Sequence, residues 1–119
     1  MSDLNPQMIG LFLEEQARNN RTVYYGDVVA RFGLPPMDGA WLSHPLSRIF
    51  EVLDQEDAMS NRPFRSAVVI SQERNMPGNG FFEALERLRG VQTSNEQQRL
   101  EAFVRELEAT FRYPWAIQP

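Results

Sequence analysis

At 119 residues, with 42% hydrophobic and 24% charged side chains, the chain has the make-up of one folded domain, long enough to remove roughly two thirds of its unfolded surface from water. It has no cysteine, which excludes disulfides, thiolate metal sites and cysteine nucleophiles, and its single histidine, His44, excludes a serine triad or a histidine-rich zinc site within one chain. The formal charge of −4 works against bulk attraction to nucleic acid or anionic membrane, but residues 1–60 hold four arginines against nine acids while residues 61–119 hold eight against seven.

In chain order, the first expected element is a helix from Leu4 to Asn19, started by Asn5 and Pro6, with Met8, Leu11, Phe12 and Ala17 on or near its apolar face. Thr22 to Tyr25 is a short β-favouring run. Gly26 and Asp27 then open a brief helix, Val28 to Phe32, which Gly33 and the Pro35-Pro36 pair end. Met37 to Leu42 reads as a loop. Ser43 is suited to cap a third helix with Pro45 in its first turn and a buried stripe of Leu46, Ile49, Phe50 and Leu53. The opposite face carries Ser47, Arg48, Glu51 and Gln55, and the helix should fray near Met59.

The β-branched run Ser66 to Ser71 reads as a strand, and Asn75 to Gly80 has the turn chemistry to reverse the chain before Phe81 and Phe82 return as a further strand. That is the plan of a wing. Glu83 to Arg89 follows as a short helix ended by Gly90. In the last helix, Thr93 to Glu96 match a capping box, the stripe is Leu100, Phe103, Val104, Leu107 and Phe111, and Tyr113, Pro114 and Trp115 stop it. The expected fold is therefore mixed α/β of the α+β kind: one winged-helix-like domain over residues 1–119, with a small sheet and wing in the core 1–82 and a long C-terminal helix in the extension 83–119.

Candidate chemistry is sparse. The carboxylate pairs Glu14-Glu15, Asp54-Asp57 and Glu106-Glu108 lie on expected helices and read as solvated faces, and His44, beside Trp41 and Pro45, reads as a helix-start or packing residue. Gly78 and Gly80 lack the third glycine of a dinucleotide fingerprint. No catalytic residue, metal or cofactor is expected. Arg62, Arg65 and Arg74, less Glu73, give residues 62–80 a local charge of +2, a patch suited to phosphate. In a winged helix the third helix enters the major groove, which would turn Ser43, His44, Ser47 and Arg48 toward base edges.

The segment Thr22 to Ala30, with its Tyr25-Gly26-Asp27 turn, resembles the start of the winged-helix DNA-binding domain of alkyltransferase-like proteins and alkylguanine alkyltransferases. Arg48, followed by the run Arg62 to Val69, resembles that family's recognition-helix arginine and its Pro-Cys-His-Arg-Val-like strand. The resemblance covers residues 22–70. It implies a winged-helix fold, with Tyr25 against the DNA backbone near a flipped nucleotide and Arg48 filling the gap in the base stack. Phe64 stands at the reactive cysteine position and the following His-Arg pair is absent, so alkyl transfer is excluded. The segment Pro35 to Leu42 also lengthens the spacing between Tyr25 and Arg48.

Two functions are thus expected from sequence. One is a non-catalytic module on double-stranded DNA, with Tyr25, Ser47, Arg48, Arg62, Arg65 and Arg74 as its contact surface. The other is a protein-interaction adaptor or inhibitor, in which the acidic first half and the aromatic tail Phe111, Tyr113 and Trp115 dock on a partner protein or a second copy of the chain. Met1 to Pro6 lack the basic-then-apolar order of a signal peptide, and no apolar run nears the roughly 18 residues that span a bilayer. The expected location is the cytoplasm, with no membrane partner.

Overall fold

The computed structural model describes residues 5–37 and 41–116. Parts of the expected first helix (Leu4) and of the expected loop from Met37 to Leu42 (residues 38–40) lie outside the described residues. In chain order the elements are α1 (Pro6–Arg18), β1 (Val23–Tyr24), α2 (Tyr25–Phe32), a 3-10 turn (Trp41–Ser43), α3 (Pro45–Met59), a second 3-10 turn (Arg65–Val68), β2 (Val69–Ile70), α4 (Asn79–Arg89) and α5 (Glu96–Arg112). The two strands pair in parallel, Val23 opposite Val69 and Tyr24 opposite Ile70. The fold is a helical assembly around a small sheet.

Local chemistry sets most boundaries. Asn5 caps α1 by accepting from the Gln7 N–H at 2.8 Å, with Pro6 in the first turn where its missing N–H costs nothing. At α2, the Asp27 carboxylate reaches back to the Tyr24 N–H at 3.0 Å, and Gly33 closes the helix with φ +64, a conformation open to glycine. α3 is capped by His44 rather than by Ser43. Its Nδ1 accepts from the Leu46 N–H at 3.1 Å while Nε2 lies 2.8 Å from the Pro35 carbonyl, which can only accept, so the ring is the neutral Nε2–H tautomer. The N-cap of α5 falls two residues later than expected. Asn95 caps by accepting from Gln98 N–H, because Thr93 is buried and donates instead to Glu86 at 2.7 Å.

Two apolar clusters form the interior. Ile9, Leu13 and Ala17 of α1 pack with Val28, the Leu46–Ile49–Phe50–Leu53 stripe of α3, Val68, Val69 and Trp115. Phe64, Ala67, Ile70, Phe81, Phe82, Leu85, Ala102 and Phe103 form the second cluster, and Leu107 touches both. Each of these large side chains contributes roughly 1.5–3 kcal/mol by leaving water. The buried stripe of α3 is the expected one, whereas those of α1 and α5 are rotated: Met8, Leu11, Leu100 and Val104 are exposed, and Ile9, Leu13, Ala102 and Thr110 take the inner faces.

The expected strand pair around the wing is different. Only Val69 and Ile70 of the Ser66 to Ser71 run are extended, and Phe81 and Phe82 lie inside α4, not in a returning strand. Two tertiary bonds hold the 3-10 turn: Asp57 accepts from the Arg65 N–H at 2.9 Å, and Thr110 donates from Oγ1 to the Phe64 carbonyl at 2.8 Å. The reversal is a compact turn, in which Ser71 N–H donates to the Met76 carbonyl and Asn75 N–H to the Ser71 carbonyl, both at 2.8 Å. Asn75 adopts the left-handed conformation (φ +56) that asparagine tolerates.

Arg65 is the largest departure from the sequence reading. Expected on a phosphate-binding surface, it is 2% exposed and spans α1, α3 and its own turn. Its Nε donates to Asp57 at 3.0 Å, Nη1 to Glu14 at 3.0 Å and Nη2 to Glu56 at 3.2 Å, and Asp57 also pairs with Arg62 Nε at 2.6 Å. Gly10 of α1 makes room for this guanidinium, since a Cβ there would stand 2.6 Å from Nη1. Asp54 and Asp57, expected on a solvated face, are both buried for the same reason: each has a partner on the 3-10 turn. Trp115, expected in a docking tail, is buried in the first cluster and donates from Nε1 to the Thr110 carbonyl at 2.8 Å. Phe111 and Tyr113 pack against the same cluster.

Candidate functional site: an acidic aromatic cavity

A cavity of about 470 Å³ opens where α2, the Trp41 turn, α3 and the start of α4 converge. One face of α3 supplies Ser47, Phe50, Glu51 and Asp54, residues spaced at about one helical turn along a single side. Tyr25 at the head of α2, with Trp41, builds the aromatic wall. Their rings meet edge-on at 5.6 Å, and Phe50 lies 6.1 Å from each. Phe81 and the run Gly78 to Gly80, whose two glycines carry no side chain, complete the lining. Gly80 lies close to Trp41, such that a Cβ there would stand in ordinary contact with its Nε1 at 3.4 Å. His44 braces Trp41 from outside the cavity lining, stacked nearly parallel at 6.0 Å.

Two polar groups define the interior. The Tyr25 hydroxyl accepts from the Gly78 N–H at 2.8 Å, which ties the 71–78 turn to α2 and leaves the phenol proton free to donate. Burial, and secondarily the nearby Asp54, push its pKa up to about 12, so it stays a neutral donor. Asp54 is 3% exposed. Its Oδ1 accepts from Ser66 Oγ at 2.7 Å, and among the described residues its Oδ2 has no hydrogen-bond partner. Burial pushes the Asp54 carboxyl up to about 7; the Ser66 bond and Arg65 oppose that rise, and Asp57 and Glu106 add to it. Glu51, Glu83 and Arg87 stand exposed at the lining, so the cavity holds three acids against one base.

Of the six residues expected on a DNA surface, the structure brings together Tyr25 and Ser47, both of which line this cavity. Arg48 and Arg74 are exposed, Arg62 is half-buried against Asp57, and Arg65 is enclosed by carboxylates. Arg74 lies 3.8 Å from Glu96 across a solvated gap. Sequence reasoning missed Trp41, Asp54, Ser66 and Glu83 as a group. The available signal was the 47-50-51-54 spacing on α3, which sets polar residues beside an aromatic where a solvated face would carry charges alone. Among the described residues no group of His, Cys, Asp or Glu is placed to hold a metal ion, and no helix is long and apolar enough to cross a membrane.

No protein-family model, curated protein or solved structure matches this chain.

Proposed function

We propose that this chain is a non-catalytic protein-interaction module that receives part of a partner in the cavity between α2, α3 and α4. The observation that carries the reading is the cavity itself: an aromatic wall, a nearly buried carboxylate with one open oxygen, and the two glycines Gly78 and Gly80 in the lining. Its charge repels phosphate and favours a partner with positive side chains. The acidic first half of the chain therefore acts through α3, while the aromatic tail stabilises the module from within.

A DNA-associated module is the second reading. It is supported by Tyr25, which the alkyltransferase-like resemblance sets beside a bound nucleotide and which lines the cavity, and by the exposed Arg48 and Arg74. The order helix, strand, helix, helix, strand up to Ile70 supports a winged-helix-like core, with the turn at 71–78 in place of a hairpin.

One pair of experiments separates the two readings. The purified chain is panned against a displayed random-peptide library, and its affinity for labelled duplex and single-stranded DNA is measured by anisotropy at low and near-physiological salt. The first reading expects enriched peptides whose binding is lost in Trp41→Ala. DNA binding that weakens steeply with salt, without peptide enrichment, would replace it with the second.

A further inference from the structure

Resting on the protein-interaction reading, we infer that the cavity is a receptor for a guanidinium group, the arginine head of a partner, seated on the open oxygen of Asp54 beside Tyr25 and Trp41. Three observations select a cation. The lining carries Asp54, Glu51 and Glu83 against Arg87 alone. Asp54 is a carboxylate nine-tenths buried and still open at Oδ2, a position that a charged N–H donor fills with a strong bond. The Tyr25, Trp41 and Phe50 rings line the same space, and aromatic faces attract cations.

Two further features select a guanidinium over an ammonium. Most of the wall is apolar, and a guanidinium gives up its water more readily than the compact, strongly hydrated ammonium does. The acceptors are also spread apart, with Asp54 within the cavity, Ser47 two turns before it on α3 and the exposed Glu51 and Glu83 also in the lining. A planar fork with five N–H groups reaches several of these at once, where an ammonium acts as a point charge.

The seat carries a pH signature. Asp54 faces Tyr25 from α2, Ser66 and Arg65 from the 3-10 turn, Asp57 from its own helix and Glu106 from α5, and within the cavity it shares space with Glu51, Glu83 and Arg87. Without a cation its carboxyl holds a proton up to about pH 7. A guanidinium must displace that proton, so its affinity rises about tenfold per pH unit below 7 and levels above it.

The test is a titration of the intact chain with methylguanidinium, urea, N-acetyl-arginine amide and N-acetyl-lysine amide, followed by tryptophan fluorescence and calorimetry between pH 5.5 and 8.5. The expected result is saturable binding of methylguanidinium and of the arginine amide, weaker binding of the lysine amide, and none of urea, the neutral planar isostere. Asp54→Asn should weaken binding by about tenfold or more and flatten the pH dependence. Glu83→Gln should weaken it about two- to threefold, in keeping with an exposed charge. Binding of urea as tight as that of methylguanidinium, or an Asp54→Asn variant that binds like the parent, would overturn the inference. Cavity-dependent peptides without arginine would also overturn it, while leaving the interaction module standing. Binding of methylguanidinium with no binding of the arginine amide would keep the cation seat and assign it to a small free ligand instead.

Discussion

Replacing Arg65 by methionine separates an interior role for this residue from a surface one. Methionine keeps the buried stem but removes the guanidinium that joins Asp57, Glu14 and Glu56 at 3.0 to 3.2 Å. Asp57, fully buried, keeps Arg62 at 2.6 Å and the N–H of residue 65, whereas Glu14, with a side chain 13% exposed, has no other ion-pair partner among the described residues. Stranding one partner of a buried pair costs about 3–5 kcal/mol, and the surviving Arg62 contact puts the expected loss near about 3 kcal/mol. A domain of this length holds about 6–18 kcal/mol in all, so the variant folds but with much of its margin gone. With a urea slope of about 1.5 kcal/mol/M the midpoint, followed by far-ultraviolet circular dichroism at pH 7, falls by about 2 M. Adding Glu14→Gln should recover part of that loss, since it removes the stranded charge. A midpoint shift under about 0.5 M at unchanged slope would refute the reasoning and return Arg65 to the surface role first expected of it.

Asp54→Asn should change stability in a pH-dependent way. The folded carboxyl titrates near 7, above its unfolded value of about 3.9, so the native state holds the extra proton and the parent loses stability as pH rises from about 4 to 7. The asparagine variant lacks that slope and should gain on the order of 4 kcal/mol over the parent at pH 8 but not at pH 4, a difference that thermal melts at the two values would read. Parallel melting curves across the range would reject the buried, protonated acid. Trp115→Ala should cost about 3–5 kcal/mol through the lost packing on α1 and α3 and the lost bond to Thr110. An unchanged urea midpoint would show that this ring lies free of the body and is open to a partner.

The parts of the fold that could be read from sequence are those whose causes are local. Asn5 with Pro6 starts α1, Gly33 ends α2, Gly90 ends α4 in the left-handed conformation, and the 46-49-50-53 stripe of α3 is buried as its spacing requires. The failures have tertiary causes. Ser66 to Ser71 has the composition of a strand, yet a carboxylate eight residues earlier takes the Arg65 N–H and a hydroxyl 46 residues away takes the Phe64 carbonyl. Phe81 and Phe82 have strand propensity, but the Tyr25 hydroxyl holds the Gly78 N–H, and the chain turns into a helix that drives both rings into the second cluster. The cavity was illegible for the same reason. Its lining joins residues 25, 41, 54, 66 and 78 to 87, and no window of sequence contains more than one wall.

Asp54 and Asp57, one turn apart on α3 and almost equally buried, differ in how fully their oxygens are satisfied. Asp57 accepts from two guanidinium groups and a backbone N–H, a set that satisfies both of its oxygens. Asp54 lines the cavity and receives a single hydroxyl at Oδ1, with no hydrogen-bond partner at Oδ2 among the described residues. A buried carboxylate held by one hydroxyl is a net cost to stability, and folding alone would favour asparagine or an apolar residue at that position. The cost becomes a gain when a cation enters, because the charge that burial penalised then has a partner in a low-dielectric site. On the proposed reading, the same principle that makes Asp57 a fastener in the interior would make Asp54 the point at which a positively charged partner is favoured.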